Sequence, residues 1–169
     1  LNKVRLSTEN PHVIAIGEIG LDKSIETPLE VQRRIFEKQV GIAEFADLPV
    51  ILHVVRAFNE MIEFMKVHNP SVPMIIHGYN GNREMATDLV RAGFLISFGE
   101  AIAGDHSKVR EAFQAVPIEK IFLETDESEM DIREVYLAAA GLKKVSLDQL
   151  RLQIVENVKT HFSKFAGSL

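Results

Sequence analysis

Five side chains that can bind a divalent metal ion follow short apolar runs of this sequence. They are Glu18, His53, His77, Glu124 and Asp126. Neutral imidazole together with carboxylate suits zinc, manganese, iron or nickel. A carboxylate that bridges two ions is also the means by which two-metal hydrolases activate a water molecule. The types of these residues therefore indicate a metal-dependent hydrolytic site.

The spacing of these residues favours one shared site. Side chains two positions apart on a strand share a face, and Glu18 continues the row of Ile16 in this way. His53 and His77 each follow an isoleucine by two positions. A single histidine at a strand end is more often a hydrogen-bonded structural residue than a ligand. Two at equivalent positions, with carboxylates at other strand ends, favour a metal site.

Two residues near the histidines are candidates for contact with a substrate. Arg56 carries the planar charge that binds an anionic group, although pairing with an acidic neighbour is an equal alternative. Tyr79 lies two positions after His77 and is the one aromatic residue that we expect at a substrate. Glu100 also ends an apolar run and could belong to the mouth of the site, although a solvated loop carboxylate is the favoured interpretation.

The other aromatic and imidazole side chains fit ordinary core and surface roles. Four histidines in loops or near helix ends are expected at the surface: His12, His68, His106 and His161. Most phenylalanines lie within apolar periodicity, which favours core packing over a platform for stacking bases. The phenylalanines expected in the core are Phe36, Phe45, Phe58, Phe94, Phe98, Phe113 and Phe122.

Apolar runs of strand length alternate with amphipathic segments along the whole chain. The predicted strands are 13–16, 50–53, 74–78, 94–98 and 121–123, and the predicted helices are 28–47, 57–67, 83–92, 107–115, 132–140 and 147–162. Gly17 and Gly20 are predicted to turn the chain after the first strand, beside Glu18. Five strands alternating with helices indicate right-handed βαβ units and a parallel sheet, a class in which the carboxyl ends of the strands carry the chemistry.

Length and composition limit the classes of protein that this chain can represent. The 169 residues, 46% of them hydrophobic, are enough for one domain over 1–169. The absence of cysteine excludes disulfides and thiolate metal sites, and no apolar run reaches the length of a membrane span, so we expect a cytoplasmic protein. The net charge of −5 gives no overall attraction for nucleic acid, which would need a local basic patch.

Four motifs together carry a family likeness. The segments G-E-I-G-L-D, P-V-I-L-H, I-I-H-G-Y-N-G and L-E-T-D, in this order, resemble the TatD family of metal-dependent hydrolases. The resemblance implies a TIM-barrel-like fold, one or two divalent ions (zinc, magnesium or manganese) and deoxyribonuclease or other phosphoesterase activity. It also implies that Glu18 bridges two metals, that His53 and His77 hold one of them, and that Asp126 holds the other or orients the attacking water.

The sequence departs from the family pattern at several positions. The H-x-H pair of the family's first strand does not occur in these 169 residues, and Lys23 and Val55 stand where many members carry other residues. Five strands are too few to close an eight-stranded barrel. We therefore expect the native polypeptide to continue upstream of Leu1 by one or two strands, one of which carries the H-x-H pair.

The sequence predicts a metal-dependent hydrolase that acts on phosphodiesters of DNA or nucleotides with metal-activated water, without a membrane partner. One alternative is an amidase- or lactonase-like hydrolase, because scaffold and metal site do not choose the bond. Another is a non-catalytic barrel that keeps a partial metal site.

Overall fold

The computed structural model of the protein describes residues 1–166. The strands are β1 (Ile16–Asp22), β2 (Val50–Val55), β3 (Met74–Ile76), β4 (Leu95–Phe98) and β5 (Ile121–Leu123). The helices are α1 (Asn2–Ser7), α2 (Leu29–Phe45), α3 (Phe58–His68), α4 (Arg83–Arg91), α5 (Ser107–Ala115), α6 (Ile132–Lys143), α7 (Leu147–His161) and α8 (Ser163–Ala166). Short 3₁₀ turns occupy Glu100–Ile102 and Ile118–Lys120.

The five strands form one sheet in the order β1-β2-β3-β4-β5. β1 pairs with β2, and β4 pairs with β5, in the parallel sense. The connecting helices supply the crossovers that parallel neighbours require. Within the described residues, no helix combines the length and apolarity needed to cross a membrane.

The chain separates into two compact units: Leu1–Ile75 together with the segment from Lys159 onward, and Ile76–Val158. In the first unit, α2 buries Phe36, Val40 and Ala43 on one face, as the period of a helix requires. Phe36 packs edge-on against Phe64 of α3, with 4.8 Å between ring centroids. This aromatic contact joins α2 and α3.

The second unit is built around β4, all four residues of which are buried. Phe98 packs edge-on against Phe113 of α5, with 5.1 Å between ring centroids. The amide of Asn157 in α7, which is 3% exposed, donates hydrogen bonds of 2.9 Å to the carbonyls of Ile118 and Ile121. A buried amide with two carbonyl acceptors satisfies its donors, so α7 is anchored beside the start of β5.

The first strand differs from the prediction. The sequence predicted a strand over 13–16 followed by a turn at the glycines, but β1 runs through both glycines from Ile16 to Asp22. Gly20 is required by close strand pairing: it lies opposite His53, at φ +157°, and a Cβ on it would lie 1.9 Å from the His53 carbonyl oxygen. The glycine therefore permits approach of β2 and does not make a turn.

The burial of one predicted core residue is also corrected. Phe45 is 87% exposed. It lies nine residues after Phe36, which is about two and a half helical turns, so it is on the opposite side of α2. Phe58 is half-buried, and the other five predicted phenylalanines are buried. The opening segment, for which the sequence analysis predicted no element, contains α1, which buries none of its residues. Among the predicted surface histidines, His161 is half-buried and the other three are exposed.

We predict that Gly20→Ala lowers the free energy of unfolding by roughly 2–4 kcal/mol, because the new methyl group must displace the backbone of β2. Gly41→Ala is the matched control: Gly41 lies inside α2 with open space at its Cβ position, so alanine should raise stability by about 0.5–1 kcal/mol. Urea denaturation of the two variants measures both values. Equal stability of Gly20→Ala and wild type would contradict the proposed close approach.

Candidate active site

His77 and Glu124 directly follow β3 and β5, which end at Ile76 and Leu123. The backbone N–H of Glu124 donates a 3.1 Å hydrogen bond to the Phe98 carbonyl, so its main chain continues the pairing of β5 with β4. Its carboxylate Oε1 accepts a 2.7 Å hydrogen bond from the backbone N–H of Gly78 and lies 3.5 Å from Nδ1 of His77. One carboxylate thus contacts both the ring and the backbone that follows it.

The contact between Glu124 and His77 fixes the orientation of the imidazole. A carboxylate beside one ring nitrogen of a metal-binding histidine sets the tautomer and makes the ring a better ligand. The next residue, Gly78, has φ +57°, the left-handed region that glycine enters without steric cost. That conformation directs the chain away from β3 just where its N–H meets Glu124. His77 is half-buried.

Asp126 completes a group of three potential ligands in the second unit. One ligand atom from each of His77, Glu124 and Asp126 lies within 4.8 Å of the other two. Asp126 is exposed and has φ +48°, a conformation that aspartate tolerates better than most residues. One imidazole and two carboxylates form a donor set that suits a divalent transition ion. The residues present therefore fit a metal.

A cavity of about 360 Å³ lies beside this group. Its lining residues are Gly78, Tyr79, Asn80, Gly99, Glu100, Ala101 and the segment 124–128. Among these lining residues the charged ones are all carboxylates: Glu100, Glu124, Asp126 and Glu127. Four negative charges around one cavity attract a cation and repel an anion.

Tyr79 does not have the exposure expected of a substrate-binding residue. Its side chain is 1% exposed, and its hydroxyl donates a 2.7 Å hydrogen bond to the carbonyl of Asn82. The ring packs edge-on against Phe98, and burial raises the pKa of the phenol well above its usual range. The Tyr79 ring therefore packs in the core beside the cavity, and its contact with a substrate stays a prediction. The position of a tyrosine one residue after a glycine does not reveal which way its ring turns.

Glu18 and His53 lie in the first unit, and both line a cavity of about 410 Å³. They were expected at strand ends, but both β1 and β2 are longer than predicted, so Glu18 is the third residue of β1 and His53 the fourth of β2. Glu18 is exposed and His53 is half-buried. Both strands pair in register here, with Gly20 opposite His53.

Asp22 was not singled out in the sequence, yet it contacts the predicted ligand His53. Its Oδ2 lies 3.7 Å from Nε2 of His53, and its Oδ1 accepts hydrogen bonds from the hydroxyl and the backbone N–H of Ser24. The hydrogen bond from the Ser24 hydroxyl contributes most to the lowered pKa of Asp22. The backbone N–H of Ser24 and the His53 ring lower that pKa further. The available sequence signal was its spacing: Asp22 stands four residues after Glu18, on the same strand face.

The buried side chain of Gln32 holds Asp22 in place. Its Oε1 accepts a 2.7 Å hydrogen bond from the Asp22 backbone N–H, and its Nε2 donates to the carbonyls of Asp22 and Thr27. This amide joins the end of β1 to the first turns of α2. The carboxylate that faces His53 is therefore supported on both sides.

Lys23 and Arg56, the cations that directly follow β1 and β2, differ in whether an acidic partner is described for them. Lys23 forms an ion pair with Glu60 of α3, and the lysine lowers the pKa of that carboxyl group. Arg56 is exposed directly after β2, at φ +54°. Glu100, expected as a solvated loop residue, lines the cavity of the second unit and accepts a hydrogen bond from the Ser128 hydroxyl.

The fold is that of an α/β protein, and one imidazole and two carboxylates lie together where strands of its sheet end. The chain belongs to the TatD family: residues 1–163 match the family model described as TatD related DNase. The family resemblance found in the motifs is thereby confirmed.

Relatives of known sequence agree with this membership. The uncharacterized metal-dependent hydrolase YjjV of Escherichia coli (strain K12) is 28% identical over 166 residues, which cover 89% of this chain and 64% of that protein. The 3'-5' ssDNA/RNA exonuclease TatD of Klebsiella pneumoniae (strain 342) is 31% identical over 121 residues, covering 69% of this chain and 46% of that protein. This chain thus spans less than two thirds of the length of these relatives.

A solved structure supports the fold. The crystal structure of YjjV, a TatD homolog from Escherichia coli K12, superimposes with a TM-score of 0.87 at 26% identity, covering 96% of this chain and 69% of that chain. The predicted fold class, TIM-barrel-like with parallel strands alternating with helices, is confirmed.

We predict that Glu124→Ala lowers the free energy of unfolding by about 1 kcal/mol, because the Gly78 N–H loses its acceptor. The same change should lower the affinity for Mn²⁺ by about 10- to 100-fold, since His77 loses the group that orients it. Glu124→Gln keeps an acceptor oxygen, so it should retain stability while losing Mn²⁺ affinity. Urea denaturation and calorimetric titration measure the two effects, and wild-type Mn²⁺ affinity in both variants would contradict this role of Glu124.

Proposed function

We propose that the protein is a metal-dependent hydrolase that cleaves phosphodiester bonds in DNA or nucleotides. The observation that carries this proposal is the group His77, Glu124 and Asp126 beside a cavity whose charged lining residues are all carboxylates. Membership of the TatD family supports the same chemistry. A bound divalent ion lowers the pKa of water and neutralises charge that develops on a phosphoryl oxygen.

The residues that we propose as metal ligands are Glu18, His53, His77 and Asp126. Imidazole and carboxylate in combination suit zinc or manganese, and carboxylates alone suit magnesium, so these three ions are the candidates. Asp22 and Glu124 act through the histidines, each carboxylate facing one ring. One or two ions are compatible with four ligands of this kind.

The carboxylates make substrate binding itself depend on the metal. A phosphodiester that approaches Glu100, Glu124 and Asp126 meets only negative charge from the lining residues of that cavity. At separations of about 4 Å each like-charge pair costs roughly 1 kcal/mol even in water and more near a protein surface. Bound cations remove this repulsion. Arg56, exposed after β2, is the side chain that we propose to contact an anionic group of the substrate.

Asp126 is the residue that we propose to accept or hold a proton during turnover. Asp126 is exposed beside the cavity, whereas His77 and Glu124, the other two members of this group, are half-buried. A carboxylate in that position can accept a proton from water without moving the backbone. Its left-handed conformation belongs to the loop after β5.

The all-carboxylate lining also favours a second candidate, an amidase- or lactonase-like hydrolase. A neutral amide or lactone would meet no repulsion from Glu100, Glu124 and Asp126. A screen of phosphodiester, amide and lactone substrates with added zinc, manganese and magnesium separates the two candidates. Metal-dependent cleavage confined to amides or lactones would overturn the phosphodiesterase proposal.

Three further expectations from the sequence stay predictions. They are the continuation of the native chain upstream of Leu1 with an H-x-H pair, the single domain over 1–169 and the cytoplasmic location. The mass of the natural protein tests the first of them, and a mass of 19.0 kDa with an amino terminus at Leu1 would contradict it.

We predict that the double variant His53→Ala, His77→Ala binds zinc and manganese at least about 100-fold more weakly than wild type, because two imidazole ligands are lost. The control is the double variant His12→Ala, His106→Ala, which removes two exposed imidazoles that are not among the proposed ligands. Circular dichroism checks that both variants stay folded. Equal metal affinity in wild type and the His53, His77 variant would mean that these histidines are structural.

Asp126→Asn should lower phosphodiesterase turnover by roughly two or more orders of magnitude, because the amide keeps the volume of the carboxylate and loses its charge and basicity. The melting temperature without metal should hardly change, since Asp126 is exposed. Glu129→Gln, an exposed charge removal in the same loop, is the control and should keep wild-type turnover. Full metal-dependent activity of Asp126→Asn would remove Asp126 from the reactive centre.

A further inference from the structure

Glu100 stands on a rigid turn at the end of β4. It begins the 3₁₀ turn Glu100–Ile102, and the side chain of Ile102 is fully buried. The guanidinium of Arg110 in α5 donates hydrogen bonds to the carbonyls of Ile102 and Gly104, at 3.3 and 3.2 Å. The turn that begins with Glu100 is therefore held by the burial of Ile102 and by the hydrogen bonds from Arg110.

Ser128 links this turn to the loop after β5. Its hydroxyl donates to Oε2 of Glu100 and accepts a 3.1 Å hydrogen bond from the backbone N–H of Met130. Its own backbone N–H donates a 2.9 Å hydrogen bond to the carbonyl of Thr125. Ser128 thus closes the turn 125–128 through its backbone N–H and binds the following chain at Met130 through its hydroxyl.

Asp126 lies inside the turn that Ser128 closes. Its φ of +48° lies in the left-handed region, which is uncommon for residues other than glycine and which aspartate tolerates better than most. The ends of the loop are held separately, by the Glu124 N–H on the Phe98 carbonyl and by Asp131, which caps α6. Among the hydrogen bonds described for this loop, the one from Ser128 to Glu100 ties its middle to another element.

We propose that Glu100 is a positioning residue that holds Asp126 beside His77 and Glu124 by way of Ser128. The inference rests on the proposed function, since it gives Asp126 the role described above. It also explains why a fourth carboxylate borders a cavity that is already negative. A charge-assisted hydrogen bond from a hydroxyl is stronger than a neutral one, and it offsets the repulsion from the neighbouring carboxylates.

Hydrogen exchange of the metal-free protein tests the positioning role without any activity. The Met130 amide should exchange about tenfold faster than in wild type in both Glu100→Ala and Ser128→Ala. The Ser128 amide should also exchange about tenfold faster in Glu100→Ala. Glu100→Gln keeps an oxygen that accepts the hydroxyl, so it should restore most of the protection. Glu111→Ala, an exposed charge removal on α5, is the control. Wild-type exchange rates in Glu100→Ala would overturn the proposal.

Metal affinity and kinetics then show whether the loop acts through Asp126. Glu100→Ala, Ser128→Ala and the double variant should lose Mn²⁺ affinity by a similar factor of about 3 to 10, because all three break the same hydrogen bond. With a phosphodiester substrate the loss should fall on kcat more than on KM. Additive losses in the double variant, or a loss in Glu100→Ala that Glu100→Gln does not relieve, would make Glu100 a metal ligand and overturn the positioning role. If wild type cleaves no phosphodiester, the exchange and Mn²⁺ results still decide this inference, and only the proposed function fails.

Discussion

The position of the Glu124 carboxylate is the constraint on which the rest of the site depends. Its backbone N–H continues the hydrogen bonding between β4 and β5. Its carboxylate accepts a hydrogen bond from the Gly78 N–H and lies beside Nδ1 of His77. Because parallel strands end at one edge of a sheet, a residue that follows β5 can reach a residue that follows β3. The Glu124 carboxylate lies beside the imidazole, and the loop that carries Asp126 begins at the same residue.

Each proposed metal-binding histidine has a carboxylate beside it. His53 faces Asp22, which is held by Ser24 and Gln32, and His77 faces Glu124. Such outer carboxylates orient a ligand and raise its basicity, so they matter for affinity nearly as much as the ligands do. The same arrangement occurs once in each unit of the chain, on residues that the sequence separates widely.

The sequence was informative where chemistry follows directly from strand ends. The helical period located α2 and α5, and apolar runs located β4 and β5 to within a residue and β3 to within two. The histidines could be singled out because each interrupts an apolar run with a polar group. The extent of β1 could not be predicted, because glycines usually end a strand, and here Gly20 permits the close approach of the His53 backbone. Phe45 was misjudged because residue type alone does not determine which side of a helix packs against the core. Asp22 escaped notice because its role depends on Ser24 and Gln32, which contact it only in the folded chain.

The central claim is that the group at the strand ends binds a divalent ion and uses it in hydrolysis. Anomalous diffraction from crystals grown with Mn²⁺ tests the binding most directly, because it locates the ion independently of activity. The account predicts an anomalous peak within bonding distance, about 2.0–2.3 Å, of His77 and of Asp126. A map without a peak there at saturating Mn²⁺, or with its strongest peak on unrelated surface carboxylates, would contradict it.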